Sequence, residues 1–429
     1  MKRLLAVLPL VLLLLTGCAR VQPPDATSPQ TITFAFWALA PAEVALTQQL
    51  VSQFEQSHPG LHVTVQEVPG RYYDKLSTMF AAGTPPDVMV VNYGRLGDLA
   101  RRGVLADLQP LLPSSLTMPQ FLPQAAAAFA TVGPTMERPG LFALPVDWSP
   151  TNLLLYDPDA LAAAGVASPQ GSWTWQQFET ACRKLSATTT GSRRPASLCL
   201  YPYAATAWLL QGGGTLLAPD ARRSTLAAPQ NVRTVEFLRR VQQGGLVLPP
   251  DPSQDRSLED FQTGRCAFAF VTPYTLTTLR GHPHGRRWAL ALPLRDHRNV
   301  TGCIPSGVAV AAASNHLGAA AQFAVFYATE GAKARAVAGW CVPAHLPALH
   351  SPALEAAFGK QPAAALRKAA ALAQPHPLSP TLPYERTSQA LRHALEQVFT
   401  AQRTPVQALS EAEANLNHEA ERLEQQPTR

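Results

Sequence analysis

The chain has 429 residues, with 35 Lys and Arg against 29 Asp and Glu for a net charge of +6, and this length supports two lobes with full cores. The charge is mild, and no Lys/Arg block marks a groove for nucleic acid, which excludes that class of partner. After the first apolar run, no stretch reaches the roughly 18 apolar residues that cross a bilayer, and 40 prolines with sparse charge predict many short loops.

Lys2 and Arg3 precede an apolar run over residues 4–15 and then Leu15-Thr16-Gly17-Cys18. A basic start, about a dozen apolar residues and small residues before a cut form the pattern of an export signal. The ending resembles the lipobox of bacterial lipoproteins. That resemblance implies removal of residues 1–17, lipidation of Cys18, and a protein anchored to the membrane outside the cytoplasm, in the periplasm or at the cell surface. Removal of Lys2 and Arg3 leaves 33 basic residues against 29 acidic ones, or +4. Residues 18–30, rich in Pro and Ser and without apolar period, are expected to be an extended lipidated tether.

Residues 31–37 alternate β-branched and aromatic side chains and predict a strand, followed by a helix over 43–58 stopped by Pro59-Gly60. A strand over 61–67, a helix over 72–82 and a buried strand over 87–91 follow. Further on, strands are expected at 153–156, 266–271 and 308–313. Helices are expected at 158–164, 175–185, 232–244 and 319–328, with a helical tail over 384–423 interrupted near Thr404-Pro405. Strands alternating with helices of ten or more residues predict an α/β fold with doubly wound lobes, whose ligands meet the loops beyond the strands' carboxyl ends.

Beyond Cys18 stand Cys182, Cys199, Cys266, Cys303 and Cys341. An odd count in an oxidising compartment predicts up to two disulfides and one leftover thiol, with connectivity open. No C-x-x-C or H-x-x-x-H pair occurs, and His282-Pro283-His284 reads as a solvated turn, so neither a metal nor a cofactor is expected.

Several pieces resemble, in order, the family 1 extracellular solute-binding proteins, the maltose-binding-like receptors of bacterial ABC importers. They are Phe36-Trp37; Tyr73-Asp74-Lys75-Leu76 running to Gly83-Thr84-Pro85-Pro86-Asp87-Val88; residues 141–147 before Leu155-Tyr156-Asp157; and residues 161–166. Trp173-Thr174-Trp175-Gln176-Gln177-Phe178, Gln211-Gly212-Gly213-Gly214, residues 261–268, residues 319–326 and residues 339–343 complete the series. The resemblance implies two doubly wound lobes joined by a hinge, with a ligand enclosed between them. Lobe one would take residues 31–146 and 303–346, lobe two residues 147–302 and 347–429, and the crossings would lie near 145–150 and 300–306. It further implies a monomer that closes on its solute and presents the closed shape to an ABC permease. Family registration sets Cys303 and Cys341 together as the preferred disulfide, with Cys182 and Cys199 next and Cys266 left over.

A sugar offers apolar C–H faces that stack on aromatic rings and hydroxyls that need donors and acceptors. The resemblance places Trp37, Tyr93, Trp148, Trp208, Tyr274 and Trp340 on cleft loops, with Asn92, Arg95 and Asp147 as polar partners. Asp147 and Trp148 are the leading pair, and replacing either with alanine is expected to weaken sugar binding without unfolding the protein. Trp173 and Trp175, at a helix start, are expected to be structural. Where the family often carries an acidic residue after its buried strand, this chain has Asn92-Tyr93-Gly94-Arg95. An alternative ligand is an anionic solute such as glycerol phosphate, held by Arg71, Arg95 or Arg280. A second alternative is an exported hydrolase, although no G-x-S-x-G or H-E-x-x-H motif occurs and His418-Glu419 lacks a second His at the right spacing. A third is a receptor that senses or scavenges its solute without importing it.

Overall fold

A computed structural model of the protein describes residues 29–38, 40–279 and 287–425. The export signal, the acylation site Cys18, nearly all of the tether, Arg280 and the His282–His284 turn lie outside the described residues. None of the described helices is long and apolar enough to cross a membrane.

The alternating and apolar segments form strands β1 (Gln30–Phe36), β2 (Leu61–Glu67), β3 (Val88–Asn92), β4 (Leu144–Pro150) and β5 (Leu153–Tyr156). They continue with β6 (Ala196–Ser197), β7 (Phe268–Val271), β8 (Ala289–Ala291), β9 (Thr301–Val310) and β10 (Ala373–Pro375). Among the described residues these make a six-stranded sheet in the order β10-β9-β3-β1-β2, with β4 also paired to β9, and a four-stranded sheet in the order β6-β7-β5-β8. In the larger sheet β1 runs parallel to β2 and β3, and β9 runs antiparallel to β3 and β4. Two α/β lobes result, and β4 and β9 lead the chain from one to the other.

Side chains of a strand alternate between faces, and that period sorts the cores. In the smaller sheet Leu154, Tyr156, Phe268 and Phe270 face the second lobe's core with Trp175, Phe178 and Trp208. Leu153, Leu155, Ala269 and Val271 face the other way and join a larger cluster that runs across both sheets. The chain between 346 and 373 buries Leu349, Leu354, Phe358, Leu366 and Ala370 in that same cluster, and its helix Lys360–Leu372 touches both β8 and β4. The C-terminal helices Tyr384–Phe399 and Pro405–Glu424 pack Leu391, Leu395, Val398, Leu409 and Leu416 onto Leu209, Leu217 and Val235 of the second lobe.

Helix starts follow local chemistry. Thr174 and Gln177 form a reciprocal capping box, with Gln177 N donating to Thr174 Oγ1 at 3.1 Å and Thr174 N to Gln177 Oε1 at 2.8 Å. Thr404 and Gln407 repeat it before the last helix. One feature departs from the expectation. The segment after β3 is a helix, Tyr93–Arg101, capped by the Asn92 side chain, which accepts from Gly94 N at 3.1 Å. Gly94 and Gly97 lower its intrinsic propensity but let another segment come close: a Cβ on Gly94 would stand 2.6 Å from Cγ of Tyr384. The crossing near residues 300–306 is continuous strand, because β9 starts at Thr301 and pairs with β4 and β10 throughout.

The helix from Leu317 continues through a π-turn at Tyr327–Gly331 to Ala338. Gly339 then ends it with φ of 83°, a left-handed conformation that glycine adopts without steric cost, and the chain turns Trp340 toward the space between the lobes. Where β4 passes into β5, Asn152 takes φ of 52°, which Asn tolerates better than most side chains. Its Nδ2 donates to Ala204 O at 3.0 Å.

Candidate ligand-binding site

A cavity of about 700 Å³ opens between the lobes. The first lobe supplies Trp37, Glu43, Arg71, Tyr72, Tyr73, Asp74, Asn92 and Arg95, and its returning segment adds Arg335 and Trp340. The crossing strands form the floor with Asp147, Ser149, Ile304 and Ser306, and the second lobe closes the opposite wall with Tyr203, Thr272, Tyr274 and Thr275.

The floor is a product of strand parity. Asp147 lies opposite Ser306, and Ser149 opposite Ile304, so these four side chains share the cleft face. The intervening Val146, Trp148, Cys303 and Pro305 are buried behind it. A register shift between Pro145 and Asp147 kinks β4 here, a device that re-aims side chains near sites. On the first lobe, Trp37 meets Tyr72 edge-to-face at 5.2 Å and Tyr73 at 6.4 Å. Asn92 N donates to Tyr73 Oη at 2.7 Å, which fixes that ring.

The site's charges are compensated in pairs. Asp147 accepts from Ser149 Oγ at 2.5 Å, and Ser149 Oγ accepts from Val342 N at 3.1 Å. Burial pushes the Asp147 carboxyl up to about 7, against the downward pull of the Ser149 hydrogen bond and the Arg335 charge. For Arg335, burial works against the charged form, but Tyr327, Cys341, Glu43 and Asp147 outweigh it and hold the guanidinium protonated. Arg71 pairs with Asp74 at 2.5 Å, and Arg95 pairs with Glu385. Among the described residues, no group of three or more His, Cys, Asp or Glu is placed to hold a metal ion.

Of the residues expected to bind ligand, the cavity brings together Trp37, Asn92, Arg95, Asp147, Tyr274 and Trp340. The others lie elsewhere. Trp148 is fully buried and donates from Nε1 to Ala370 O at 3.2 Å, because neighbours in a strand face opposite ways and Asp147 takes the cleft side. Trp208 is 1 % exposed and packs against Phe270 at 4.9 Å and Trp175 at 5.6 Å. Tyr93 is buried on Phe129, its hydroxyl donating to Ala128 O at 3.3 Å. It lines a smaller cavity of about 170 Å³ with Cys303, His376 and Tyr384. The preferred disulfide is also corrected: no disulfide joins the described cysteines. Cys303 turns away from the cleft toward Tyr93, whereas the Cys341 thiol donates to Ala332 O at 3.5 Å on the helix that carries Arg335.

Ser149 was legible from its spacing of two from Asp147, and Ser306 and Ile304 follow from the pairing of β4 with β9. Arg335 carried no local signal, since it sits within Ala332-Lys333-Ala334-Arg335-Ala336, a helix that reads as filler.

A cleft between two α/β lobes, floored by the strands that cross between them, defines a solute receptor of the two-lobed type. The pattern of the bacterial extracellular solute-binding proteins matches residues 40–334, more than half of the chain, and the protein belongs to that family. Solved structures share the fold. The sugar-binding protein MalE of Xanthomonas citri is 22 % identical with a TM-score of 0.79, covering 93 % of this chain and 100 % of that one. The substrate-binding protein Lmo0181 of Listeria monocytogenes, solved with cycloalternan, is 24 % identical with a TM-score of 0.74, covering 90 % and 98 %. The GacH receptor of Streptomyces glaucescens, solved unliganded and with acarbose, is 20 % identical with a TM-score of 0.76, covering 93 % and 100 %. A lipoprotein from the oleD 5′ region of Streptomyces antibioticus, itself uncharacterised, is 34 % identical over 189 residues, 43 % of this chain and 39 % of that relative. The match therefore spans well under half of the relative's length.

Proposed function

We propose that the protein is a lipid-anchored, extracytoplasmic receptor that closes on an uncharged carbohydrate and delivers it to an ABC importer. The observation that carries this reading is the cavity wall itself. Trp37, Tyr73, Tyr274 and Trp340 alternate there with Asn92, Asp147, Ser149 and Ser306, giving stacking faces and hydroxyl partners in one space. Relatives of the same fold solved with cycloalternan and acarbose support it. The anionic alternative is weaker because Arg71 and Arg95 are ion-paired with carboxylates and Arg335 is held under the charges of Glu43 and Asp147. We assign the lobe boundaries to the β4 and β9 crossings.

Calorimetry against a panel of mono- and oligosaccharides tests the reading. Reversible binding without turnover is the expected result, and no heat with any sugar would overturn it. Trp340→Ala removes a stacking face at the end of a helix rather than in a core, so sugar affinity should fall by about tenfold while the melting midpoint stays near wild type.

The anchor is read from Leu15-Thr16-Gly17-Cys18 and is supported by the lipoprotein relative. Cys18→Ser should move the protein from the membrane to the soluble fraction with its sugar affinity unchanged. A single acyl chain holds a protein only marginally, so stable retention depends on the multiple chains of a lipoprotein. Retention of the Cys18→Ser protein in washed membranes would refute the anchor.

A further inference from the structure

We infer that Glu385 is a positioning residue for the cleft: reaching from the second lobe, it holds Arg95 in an ion pair that cancels the guanidinium's charge and keeps the site selective for uncharged over anionic sugars. The inference rests on the carbohydrate reading of the same cleft. Arg95 lines the cavity, and its guanidinium lies 5.0 Å from the centre of the Tyr73 ring. Its Nε meets Oε1 of Glu385. Glu385 stands in the first turn of the helix Tyr384–Phe399, behind Arg95 and outside the cavity wall.

The pair sits where the two lobes touch. Tyr384 packs its ring on Gly94 so closely that a Cβ there would lie 2.6 Å from Cγ. Nearly two turns further, Arg101 Nη1 donates to Pro380 O at 2.6 Å. Arg95 is thus gripped on one side by the aromatic face of its own lobe and on the other by a carboxylate of the partner lobe. A planar guanidinium suits this double grip because it stacks and hydrogen-bonds at once.

Two observations make the pair more than packing. Glu385 Oε2 is buried with no hydrogen-bond partner, and burial raises the Glu385 carboxyl despite the Arg95 charge. An unsatisfied buried carboxylate oxygen is costly, and a pair needed only for stability is commonly matched or bettered by apolar packing. The other cleft arginines have their carboxylates in the cleft wall: Arg71 pairs with Asp74, and Arg335 feels the charges of Glu43 and Asp147. Arg95 alone among these three draws its counter-charge from outside the wall. Neutralising Glu385 therefore gives the cavity an unbalanced positive charge while leaving the cavity-lining residues in place. Charge-assisted bonds to an anion would then become available.

The test uses the mature full-length protein and its Glu385→Gln, Glu385→Asp and Glu385→Gln/Arg95→Gln variants. Inorganic phosphate is compared with chloride at equal ionic strength by thermal melting, and maltose is compared with maltobionate, which adds one carboxylate, by calorimetry. Phosphate should raise the melting midpoint of Glu385→Gln but neither that of wild type nor that of the double variant. The maltobionate-to-maltose affinity ratio should rise by about tenfold in Glu385→Gln and return to the wild-type value in Glu385→Asp. A purely structural role would weaken both sugars alike and leave the ratio unmoved. That outcome, or a Glu385→Gln protein indifferent to phosphate, overturns the inference. If wild type binds neither disaccharide, the carbohydrate reading suffers, whereas the phosphate arm needs no sugar and still decides the role of Glu385. Should Glu385→Gln not fold, Glu385→Ala carries the same comparisons.

Discussion

Trp148→Ala is expected to destabilise the protein by about 3–5 kcal/mol, the range for emptying a buried aromatic site, while sugar affinity of the folded protein changes by less than about tenfold. The indole is fully buried in the first lobe's core. Its Nε1 is a donor to Ala370 O at 3.2 Å, so truncation both opens a cavity and removes one of that carbonyl's two donors, leaving the Ala373 N–H in place. Ala370 lies on the helix Lys360–Leu372, which also touches β8 of the smaller sheet, so the damage should reach the seam between the lobes. Urea unfolding of the ligand-free protein measures the loss through the midpoint, and Trp148→Phe, which refills most of the space but not the hydrogen bond, should fall between. A variant with wild-type stability and sugar binding lost by tenfold or more would return Trp148 to the ligand.

The contrast between Trp148 and Asp147 shows what the sequence carried and what it did not. Strands, helix caps and Pro-Gly stops are local chemistry, and they place β1, β2, β3 and β5 and the helices starting after Thr174 and Thr404, whereas the cleft position of Asp147 came from the family resemblance. Strand parity was also local: two adjacent strand residues cannot share a face, and applying it to residues 146–149 separates Asp147 and Ser149 from Val146 and Trp148. Trp208 was legible in the same way, since the helix Pro202–Gln211 is apolar or small nearly all round and nearly every residue of it is buried, the signature of a helix inside a core. The remainder depends on distant chain segments. Glu385 reaches Arg95 from 290 positions away in sequence, and the Arg335 charge acts on Asp147 only after the chain has crossed the hinge and returned. No period or motif encodes such meetings. The family resemblance set the segment after β3 on a cleft loop, whereas it is a helix whose Gly94 and Gly97 admit Tyr384 and Leu378 at close range.

Asp147→Asn should make the ligand-free protein more stable at pH 8 and a poorer receptor at the same pH. The carboxyl's folded value is raised from 3.8 to about 7. Between those pH values the native protein keeps a proton that the unfolded chain has released. Stability therefore falls as pH rises from about 4 to about 7 and stays reduced above, the reverse of the usual carboxylate behaviour. For a shift of this size in a partly open site, the deficit at pH 8 is about 2–4 kcal/mol. Asparagine has no charge to desolvate, can still accept from the Ser149 hydroxyl, and should recover much of that deficit at pH 8 but none at pH 4. Binding should move the other way. An ionised carboxylate accepts sugar hydroxyls more strongly than an amide does, and charge-assisted bonds run about 1.5–3 kcal/mol, so Asn should weaken affinity by about tenfold or more. Wild-type affinity should climb as pH rises through 7, and the asparagine variant should lose that slope. Melting curves and calorimetry at pH 4, 5, 6, 7 and 8 read both effects on the same preparations. A variant that binds as wild type at pH 8, or whose melting midpoint gains nothing between pH 4 and pH 8 relative to wild type, would show that Asp147 neither bears the desolvation penalty nor meets the ligand. The expected pattern is a receptor that accepts an unstable buried charge in its empty state because the ligand's hydroxyls restore the hydrogen bonds that water had supplied.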